Sequence, residues 1–201
     1  SMVINKKIDY SSKYDLSLTQ RKLDSVKLPD LFKLLDTLDS QQTIIYFSSP
    51  NRARKLAREY LLHVKSLGIK EKNNNNNELP LCEWIKKNVS AQWSLDGALH
   101  YGIAIHDGSL QKHISNSIIH YFNTKRLNYI FCTSTIIEGV NTSAKNVIIY
   151  DGQKGPNAID YFDYSNICGR SGRMMEHYVG NIYSFIKQPE KKEFIVDFPF
   201  I

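Results

Sequence analysis

Cysteine is scarce in this sequence, and long apolar segments are absent from it. The 201 residues include three cysteines, Cys82, Cys132 and Cys168, which are odd in number and far apart. This pattern argues against a disulfide framework or a zinc site and favours a reducing compartment. No uncharged apolar run approaches the ~18 residues that span a bilayer, and the N-terminus has no signal-peptide core. We therefore expect an intracellular, cytoplasmic protein, or a nuclear one in a eukaryote, with no membrane partner.

The composition is that of a globular protein with a mild excess of basic residues. Hydrophobic residues make up 42% and charged residues 23%, which excludes wholesale disorder. Lys and Arg outnumber Asp and Glu by 26 to 20, giving a formal net charge of +6. A positive charge of this size permits an anionic partner, but it also serves solubility in many domains without one.

Apolar runs alternate with amphipathic helices along most of the chain. Five runs rich in β-branched and aromatic residues predict buried strands at 43–47, 101–105, 128–132, 146–150 and 179–186. This alternation predicts an α/β fold with a mostly parallel central sheet and helices on both faces. Ligands of such sheets bind beyond the carboxyl ends of the strands. We expect four unusual turns to lie there: the serines at 48–49, the turn at 106–108, the hydroxyl run at 133–135 and the Gly-Arg cluster after Cys168.

The first forty residues are less regular. Residues 6–24 are polar and weakly periodic, which is typical of an extended stretch. Pro29 predicts the first turn of a short helix, because proline is well accommodated at that position. The apolar residues of this helix are Leu31, Leu34, Leu35 and Leu38.

Two closely spaced arginines carry the sharpest chemical signal. Arg170 and Arg173 stand three residues apart in the segment NICGRSGR, residues 166–173, whose glycines permit close backbone approach. Guanidinium groups are permanently charged and bind phosphate oxygens in pairs, so the spacing suits a polyphosphate. Such a charge would stabilise a phosphoryl group during transfer. The alternative is a basic turn that pairs with nearby carboxylates such as Asp160, Asp163 or Glu176.

A second signal follows the predicted strand at 128–132. The segment CTSTIIEGVN, residues 132–141, places three hydroxyl residues directly after that strand. Hydroxyls and backbone N–H groups in this position can hold nucleic-acid phosphates without reading base sequence. Gly139 and Asn141 are candidates for contact with a nucleotide. The alternative is a Ser/Thr-rich helix start without a ligand.

Four segments, taken in order, resemble the second RecA-like domain of superfamily 2 helicases of the DEAD/DEAH-box type. They are TIIYFSSP at 43–50, GIAIHDGSL at 102–110, CTSTIIEGVN at 132–141 and NICGRSGR at 166–173. The resemblance implies a three-layer RecA-like domain. It also implies a division into a leading or linker segment, 1–30, a helicase C-terminal domain, 31–188, and a tail, 189–201, that leads to a neighbouring domain.

The resemblance implies a role for each matching position. Arg173 corresponds to the arginine finger on the γ-phosphate of ATP, and Arg170 to a second phosphate or interface arginine, so both count as catalytic. ATP would also contact Glu138, Gly139, Asn141 and Asn166. Single-stranded DNA or RNA would be held by Ser48, Ser49, His106, Gly108, Thr133 and Ser134.

Two positions depart from the family pattern. Asn166 begins the segment at 166–173, where the family's motif usually has glutamine, and its shorter amide has less reach toward a nucleotide. Asp107 stands where a second histidine usually follows His106, so we expect a negative charge near the path of the strand. Both substitutions favour the alternative function, a non-catalytic nucleic-acid-binding or protein-interaction module that kept the RecA-like fold.

The chain lacks the two motifs that hold ATP and Mg²⁺ in a complete helicase. A phosphate loop of the form G-x-x-x-x-G-K-[ST] is absent, and so is any Asp-Glu dipeptide. The resemblance therefore implies that ATP and Mg²⁺ bind mainly to a first RecA-like domain of the same polypeptide, and that this chain alone is inactive. A stand-alone nucleotide-binding enzyme would need a glycine-rich loop after its first strand, which is also absent.

Three further patterns have simpler interpretations. Histidines recur every seven residues at 106, 113 and 120, but helical metal ligands lie four apart, so we expect no metal site. Five asparagines at 73–77 predict a solvated loop. Four basic residues share one face of a helix over 50–64, which we expect to be solvated. They are Arg52, Arg54, Lys55 and Arg58.

Overall fold

A parallel sheet forms the centre of the chain in the computed structural model, which describes residues 4–74, 78–88, 94–136, 141–172 and 179–192. The strands are β1 (Ile4–Asp9), β2 (Thr43–Tyr46), β3 (Ile103–His106), β4 (Tyr129–Cys132), β5 (Asn146–Ile149), β6 (Gln153–Lys154), β7 (Asn157–Ala158) and β8 (Val179–Ser184). Six of them form the sheet in the order β1-β8-β5-β2-β4-β3, and β6 and β7 pair as a separate antiparallel hairpin.

Helices cover both faces of the sheet. In chain order they are α1 (Gln20–Leu38), α2 (Pro50–Ser66), α3 (Pro80–Asn88), α4 (Ser94–His100), α5 (Lys112–Asn123) and α6 (Tyr161–Cys168). The arrangement is the three-layer α/β fold of a RecA-like domain, which confirms the predicted fold class. None of the helices in the described ranges combines the length and the apolarity that a membrane span requires.

The inner strands are the best-predicted elements. All four residues of β2, β3, β4 and β5 are buried, because helices pack on both faces of each strand. Directly after β2, Phe47 stacks on Phe131 of β4 with ring centroids 5.6 Å apart. Such continuous burial explains why these strands read as unbroken apolar runs.

Among the described residues the sheet has six strands, one more than the five predicted. β1 pairs in parallel with β8 at the edge of the sheet, in the register Ile8 to Tyr183. Residues 6–9 of β1 belong to the polar segment at 6–24, which we expected to be an extended stretch and did not count as a strand. Lys6 and Lys7 are exposed, as edge strands commonly are, so β1 has no apolar run to mark it.

The predicted start of the first helix was wrong. α1 begins at Gln20, and Pro29 lies inside it rather than at its first turn. The buried residues of α1 are Lys27 and the four predicted leucines, so its first two turns carry no apolar stripe. Without that stripe, Pro29 was the strongest indication in the sequence of where the helix begins. The predicted division at residue 30 stays a prediction, although α1 runs across it.

Candidate nucleotide and nucleic-acid interface

Three of the four resembling segments meet at one edge of the sheet. β2 leads into Ser48, β3 into Asp107 and β4 into Thr133, at the carboxyl ends of neighbouring parallel strands. The backbone N–H of Thr133 donates to the carbonyl of His106 at 3.2 Å, which joins two of the segments directly. We call the residues at 48–49, 106–108 and 133–135 the carboxyl edge.

The fourth segment lies at the opposite edge, contrary to the sequence expectation. Ser171 forms a parallel bridge with Ala144, which precedes β5, and Gly172 N donates to Ala144 O at 2.8 Å. The reason is topological, since the Gly-Arg turn follows α6 and leads into the amino end of β8. The segment at 132–141 starts at the carboxyl end of β4, but its last residue, Asn141, lies at this opposite edge beside the end of α5. We call the residues at 141–144 and 170–172 the amino edge.

A buried ion-pair network supports the serines at 48–49. Asp151, which follows β5 and is 3% exposed, accepts from Ser48 N at 2.9 Å and from Ser48 Oγ at 3.1 Å. It also accepts from Arg52 Nε at 2.6 Å, and the same guanidinium makes two bonds of 2.9 Å to Asp24 of α1. Arg52 thus ties α1 and α2 to the end of β5.

Lys27 extends this network into the core. Its ammonium, in a residue that is 3% exposed, donates to Tyr150 O at 2.5 Å and lies 4.2 Å from the centroid of the Tyr150 ring. Burial lowers the pKa of Lys27 to about 8, although the charges of Asp151 and Asp24 oppose the shift. Burial raises the pKa of Asp24, but the hydrogen bonds and charge of Arg52 outweigh it and hold that pKa below its usual range.

The basic face of α2 is therefore only partly solvated, and that expectation was wrong for two residues. Arg52 belongs to the network above. Arg54 Nη2 donates to both carboxylate oxygens of Asp107, at 3.0 and 2.8 Å. Lys55 and Arg58 are exposed, as predicted.

Asp107 does not present a free negative charge to the carboxyl edge. Its side chain is fully buried and accepts from Ser109 N at 2.8 Å and Ser109 Oγ at 2.6 Å, besides Arg54. These bonds fold the turn back on itself, as Asx turns do. Asp107 replaces the family's second histidine, but its negative charge is neutralised by Arg54 of α2. This pairing removes one of the two arguments for the alternative function.

His106 links α5 to the hydroxyl run at the carboxyl edge. Its Nε2 lies 2.6 Å from Ser115 Oγ, and its Nδ1 lies 3.4 Å from Thr135 Oγ1. Thr135 in turn lies 3.4 Å from Thr133 Oγ1. Burial lowers the pKa of His106 below 6.5, and the nearby charge of Asp107 only partly opposes this. The imidazole is therefore neutral at pH 7.

Acidification should destabilise the chain through His106. Because its pKa in the folded state is below the unfolded value of 6.5, the unfolded state takes up the proton first as the pH falls. We expect the free energy of unfolding to decrease between about pH 7 and 5, and His106→Gln to reduce that slope. Urea titrations at several pH values measure it. A slope of equal size in the variant would contradict the assignment.

The remaining positions of the carboxyl edge differ in exposure. Ser49 is the N-cap of α2, where its Oγ accepts from Arg52 N at 3.4 Å. Gly108 is exposed, and a Cβ there would lie 3.1 Å from the methyl group of Thr135. Thr133 is only 6% exposed, and Ser134 begins a short 3-10 helix, Ser134–Ile136.

The fourth segment, at 166–173, includes the end of α6, a helix that is capped at its start, and packs against β8. Asp160 caps α6 by accepting from Asp163 N at 2.7 Å, and Asp163 pairs with Lys154 at 3.3 Å. Gly172 has a φ of +81°, which favours glycine. A Cβ on Gly180 of β8 would lie 2.7 Å from Gly172 N, so the turn packs directly on that strand.

Arg170 and Asn141 come together at this edge. Arg170 Nη1 donates to Thr142 O at 3.3 Å, and the carbonyl of Arg170 accepts from Ala144 N at 2.9 Å. Asn123, at the end of α5, holds the same stretch by donating to Asn141 O at 3.2 Å. Burial lowers the pKa of Arg170, but arginine remains charged at any working pH.

The other predicted site residues stay predictions. The half-buried side chain of Asn166 makes no hydrogen bond to another described residue. Glu138, Gly139 and Arg173 lie outside the described residues. Among supporting residues, sequence reasoning missed Asn123, Arg52 and Asp151, since none belongs to a recognisable motif.

A three-layer α/β fold with a parallel central sheet, together with these four segments, defines a class of protein. The class is the C-terminal RecA-like domain of superfamily 2 helicases. The sequence matches the family described as helicase conserved C-terminal domain over residues 57–175, more than half of the chain. The chain therefore belongs to this family, which confirms the resemblance found in the sequence.

Three curated relatives illustrate the family. Anti-bacteriophage protein B of Escherichia coli K12 is 42% identical over 148 residues, covering 74% of this chain and 19% of that protein. DNA polymerase theta of Caenorhabditis elegans is 26% identical over 76% of the chain and 10% of that protein. The ATP-dependent DNA helicase Hel308 of Caldivirga maquilingensis is 23% identical over 81% and 23% respectively. The chain thus spans a quarter or less of each relative.

Proposed function

We propose that this chain is the second motor domain of an ATP-dependent DNA helicase. The observation that supports the proposal is the contact between Arg170 and the carbonyl of Thr142. Arg170 belongs to the segment at 166–173, and Thr142 directly follows the last residue of the segment at 132–141. In a helicase, those two motifs face the same nucleotide. The names of two relatives refer to DNA, which favours DNA over RNA as the strand.

In this proposal, the amino edge completes an ATP site formed mainly by a first RecA-like domain. That domain would supply the phosphate loop and the carboxylates for Mg²⁺, which this sequence lacks. Arg170 and Arg173 would stabilise the charge that develops on the transferred γ-phosphoryl group. Glu138, Gly139, Asn141 and Asn166 would line the same cleft. Hydrolysis would then open and close the cleft between the two domains.

The carboxyl edge would hold the backbone of single-stranded DNA. Ser49 suits this role chemically, because its Oγ accepts from Arg52 N and keeps its own hydrogen for a phosphate oxygen. Ser48, in contrast, donates its hydroxyl hydrogen to Asp151 and therefore offers only lone pairs. Gly108 and Ser134 would contribute backbone N–H groups. Thr133 and His106, which are buried, would hold these turns in position through the hydrogen bond between their backbones.

Replacing Ser49 by aspartate tests the DNA-binding role. Aspartate is an equally good N-cap, so α2 should be preserved, while its charge repels phosphate. We expect roughly tenfold weaker binding of single-stranded DNA, equal across base sequences. Fluorescence anisotropy against salt concentration measures it.

Gln41→Glu is the matched control, because it adds the same charge at the opposite end of β2. That variant should bind DNA with nearly wild-type affinity. If both variants lose affinity equally, the effect is one of net charge and the assignment of Ser49 is wrong. Stronger binding to RNA than to DNA in the wild-type chain would contradict the choice of DNA.

A further inference from the structure

We propose that Glu78, Cys82 and His100 bind one Zn²⁺ ion, in contrast to the sequence expectation of no metal site. One ligand atom from each residue, a carboxylate oxygen, Sγ and an imidazole nitrogen, lies within 4.8 Å of the other two. Among the described residues, no other three His, Cys, Asp or Glu side chains bring their ligand atoms this close together. The site includes none of the residues assigned above to ATP or DNA and does not depend on the proposed function.

Local structure brings the three side chains together. Glu78 precedes α3 by two residues, and Cys82 lies in its first turn, so the two are four positions apart. His100 is the last residue of α4, which packs against α3. Cys82 is fully buried, whereas Glu78 and His100 keep side-chain exposures of 27% and 13%. The exposed part provides a path by which a metal ion can enter.

The imidazole of His100 is oriented as metal ligands usually are. Its Nδ1 lies 2.6 Å from the carbonyl of Asn73, and a carbonyl only accepts, so the proton is on Nδ1. The neutral ring then has its lone pair on Nε2, which lies 3.9 Å from Glu78 Oε1. A backbone acceptor on the second nitrogen is the arrangement that fixes the tautomer of zinc-bound histidines.

The backbone around His100 is equally well fixed. Its carbonyl accepts from Lys72 N at 2.8 Å and Asn73 N at 2.9 Å. Asn73, which we expected to be solvated, is 1% exposed and donates to Leu99 O at 2.9 Å. Its Oδ1 is a buried acceptor without a donor among the described residues.

The ligand set suits zinc better than other common metals. One thiolate, one imidazole and one carboxylate, with water in the fourth position, are typical zinc ligands. Around a tetrahedral zinc ion, neighbouring ligand atoms lie ~3.4–3.6 Å apart. The separation of 3.9 Å between His100 and Glu78 therefore needs only a small closure. On binding, the Cys82 thiol loses its proton to solvent, so affinity should rise with pH.

Lys86 is the competing cation at this site. Its Nζ lies 2.5 Å from Glu78 Oε1, so it neutralises the carboxylate when no metal is bound. Zinc would have to displace this contact or use the other carboxylate oxygen. Lys86→Gln should consequently tighten zinc binding several-fold, an effect that a purely structural ion pair would not produce.

The test is metal analysis of the chain purified without chelators. We expect one zinc per chain, and a thiolate-to-metal charge-transfer band when Co²⁺ replaces zinc. Cys82→Ser should abolish the band, and Glu78→Gln should weaken zinc binding at least tenfold. Cys168→Ser is the matched control and should keep both zinc and the band.

Circular dichroism separates loss of metal from loss of fold. Glu78→Gln alters a partly exposed carboxylate, so this variant should remain folded even if Cys82→Ser does not. A folded wild-type chain that binds neither zinc nor cobalt overturns the proposal. Zinc binding that is unchanged in both Glu78→Gln and Lys86→Gln overturns it as well, because the ion would then lie elsewhere.

Discussion

Replacing Arg173 or Arg170 by alanine is expected to reduce ATP hydrolysis by ~10³-fold or more in a polypeptide that also contains the first RecA-like domain. The reason is that each guanidinium would supply fixed positive charge to the transferring phosphoryl group. Steady-state hydrolysis with saturating single-stranded DNA measures the loss. For Arg170, the contact with Thr142 predicts an additional effect on the conformation of the 141–144 segment.

Arg58→Ala is the control for this prediction. Arg58 is an exposed arginine on α2, so removing it changes the net charge equally without touching the amino edge. The control should hydrolyse ATP at the wild-type rate. If Arg173→Ala and Arg170→Ala also retain that rate, the arginines do not act on ATP. The non-catalytic alternative would then account for the family fold better.

Replacing Asp151 by asparagine should lower the free energy of unfolding more than any other substitution proposed here. The carboxylate accepts two bonds from Ser48 and two from Arg52, and it also faces the buried ammonium of Lys27. The substitution leaves Asp24 as the one carboxylate partner of Arg52 among the described residues, and breaking a buried ion pair in this way costs ~3 kcal/mol. For a chain of this size, the melting temperature should fall by roughly 6–12 °C. Thermal denaturation followed by circular dichroism measures it.

The exposed pair of Lys55 and Glu59 provides the comparison. Their charged atoms are 3.9 Å apart, and the Lys55 side chain is 67% exposed, so solvent screens the interaction. Lys55→Ala should change the free energy of unfolding by less than ~0.5 kcal/mol. Equal effects of Lys55→Ala and Asp151→Asn would show that the network does not stabilise the fold.

Burial on both faces explains which parts of the fold the sequence could predict. β2, β3, β4 and β5 are covered by helices on each side, so their residues form apolar runs that stand out locally. β1 is an exposed edge strand, and the first half of α1 has no apolar stripe. The pairing of β1 with β8 also joins residues far apart in the chain, which local patterns do not encode.

The candidate site was predictable only where motifs mark it. The resemblance identified the turns at the carboxyl edge, but the amino-edge position of Arg170 follows from the path of the chain through α6 and β8. The ion pairs that hold the carboxyl edge in place join residues far apart in the chain, so no local sequence pattern marks them. Arg52 and Asp151 are 99 residues apart, and Arg54 and Asp107 are 53 apart, so the charge pattern on α2 suggested a solvated face.

The central claim is that this chain forms half of a composite ATPase. The most direct measurement compares DNA-stimulated ATP hydrolysis by the first RecA-like domain with and without residues 4–192 joined to it. We expect hydrolysis to rise by ~10³-fold when this domain is present, and this chain alone to have no detectable activity. Equal hydrolysis with and without the domain would show that it does not contribute to the ATPase site.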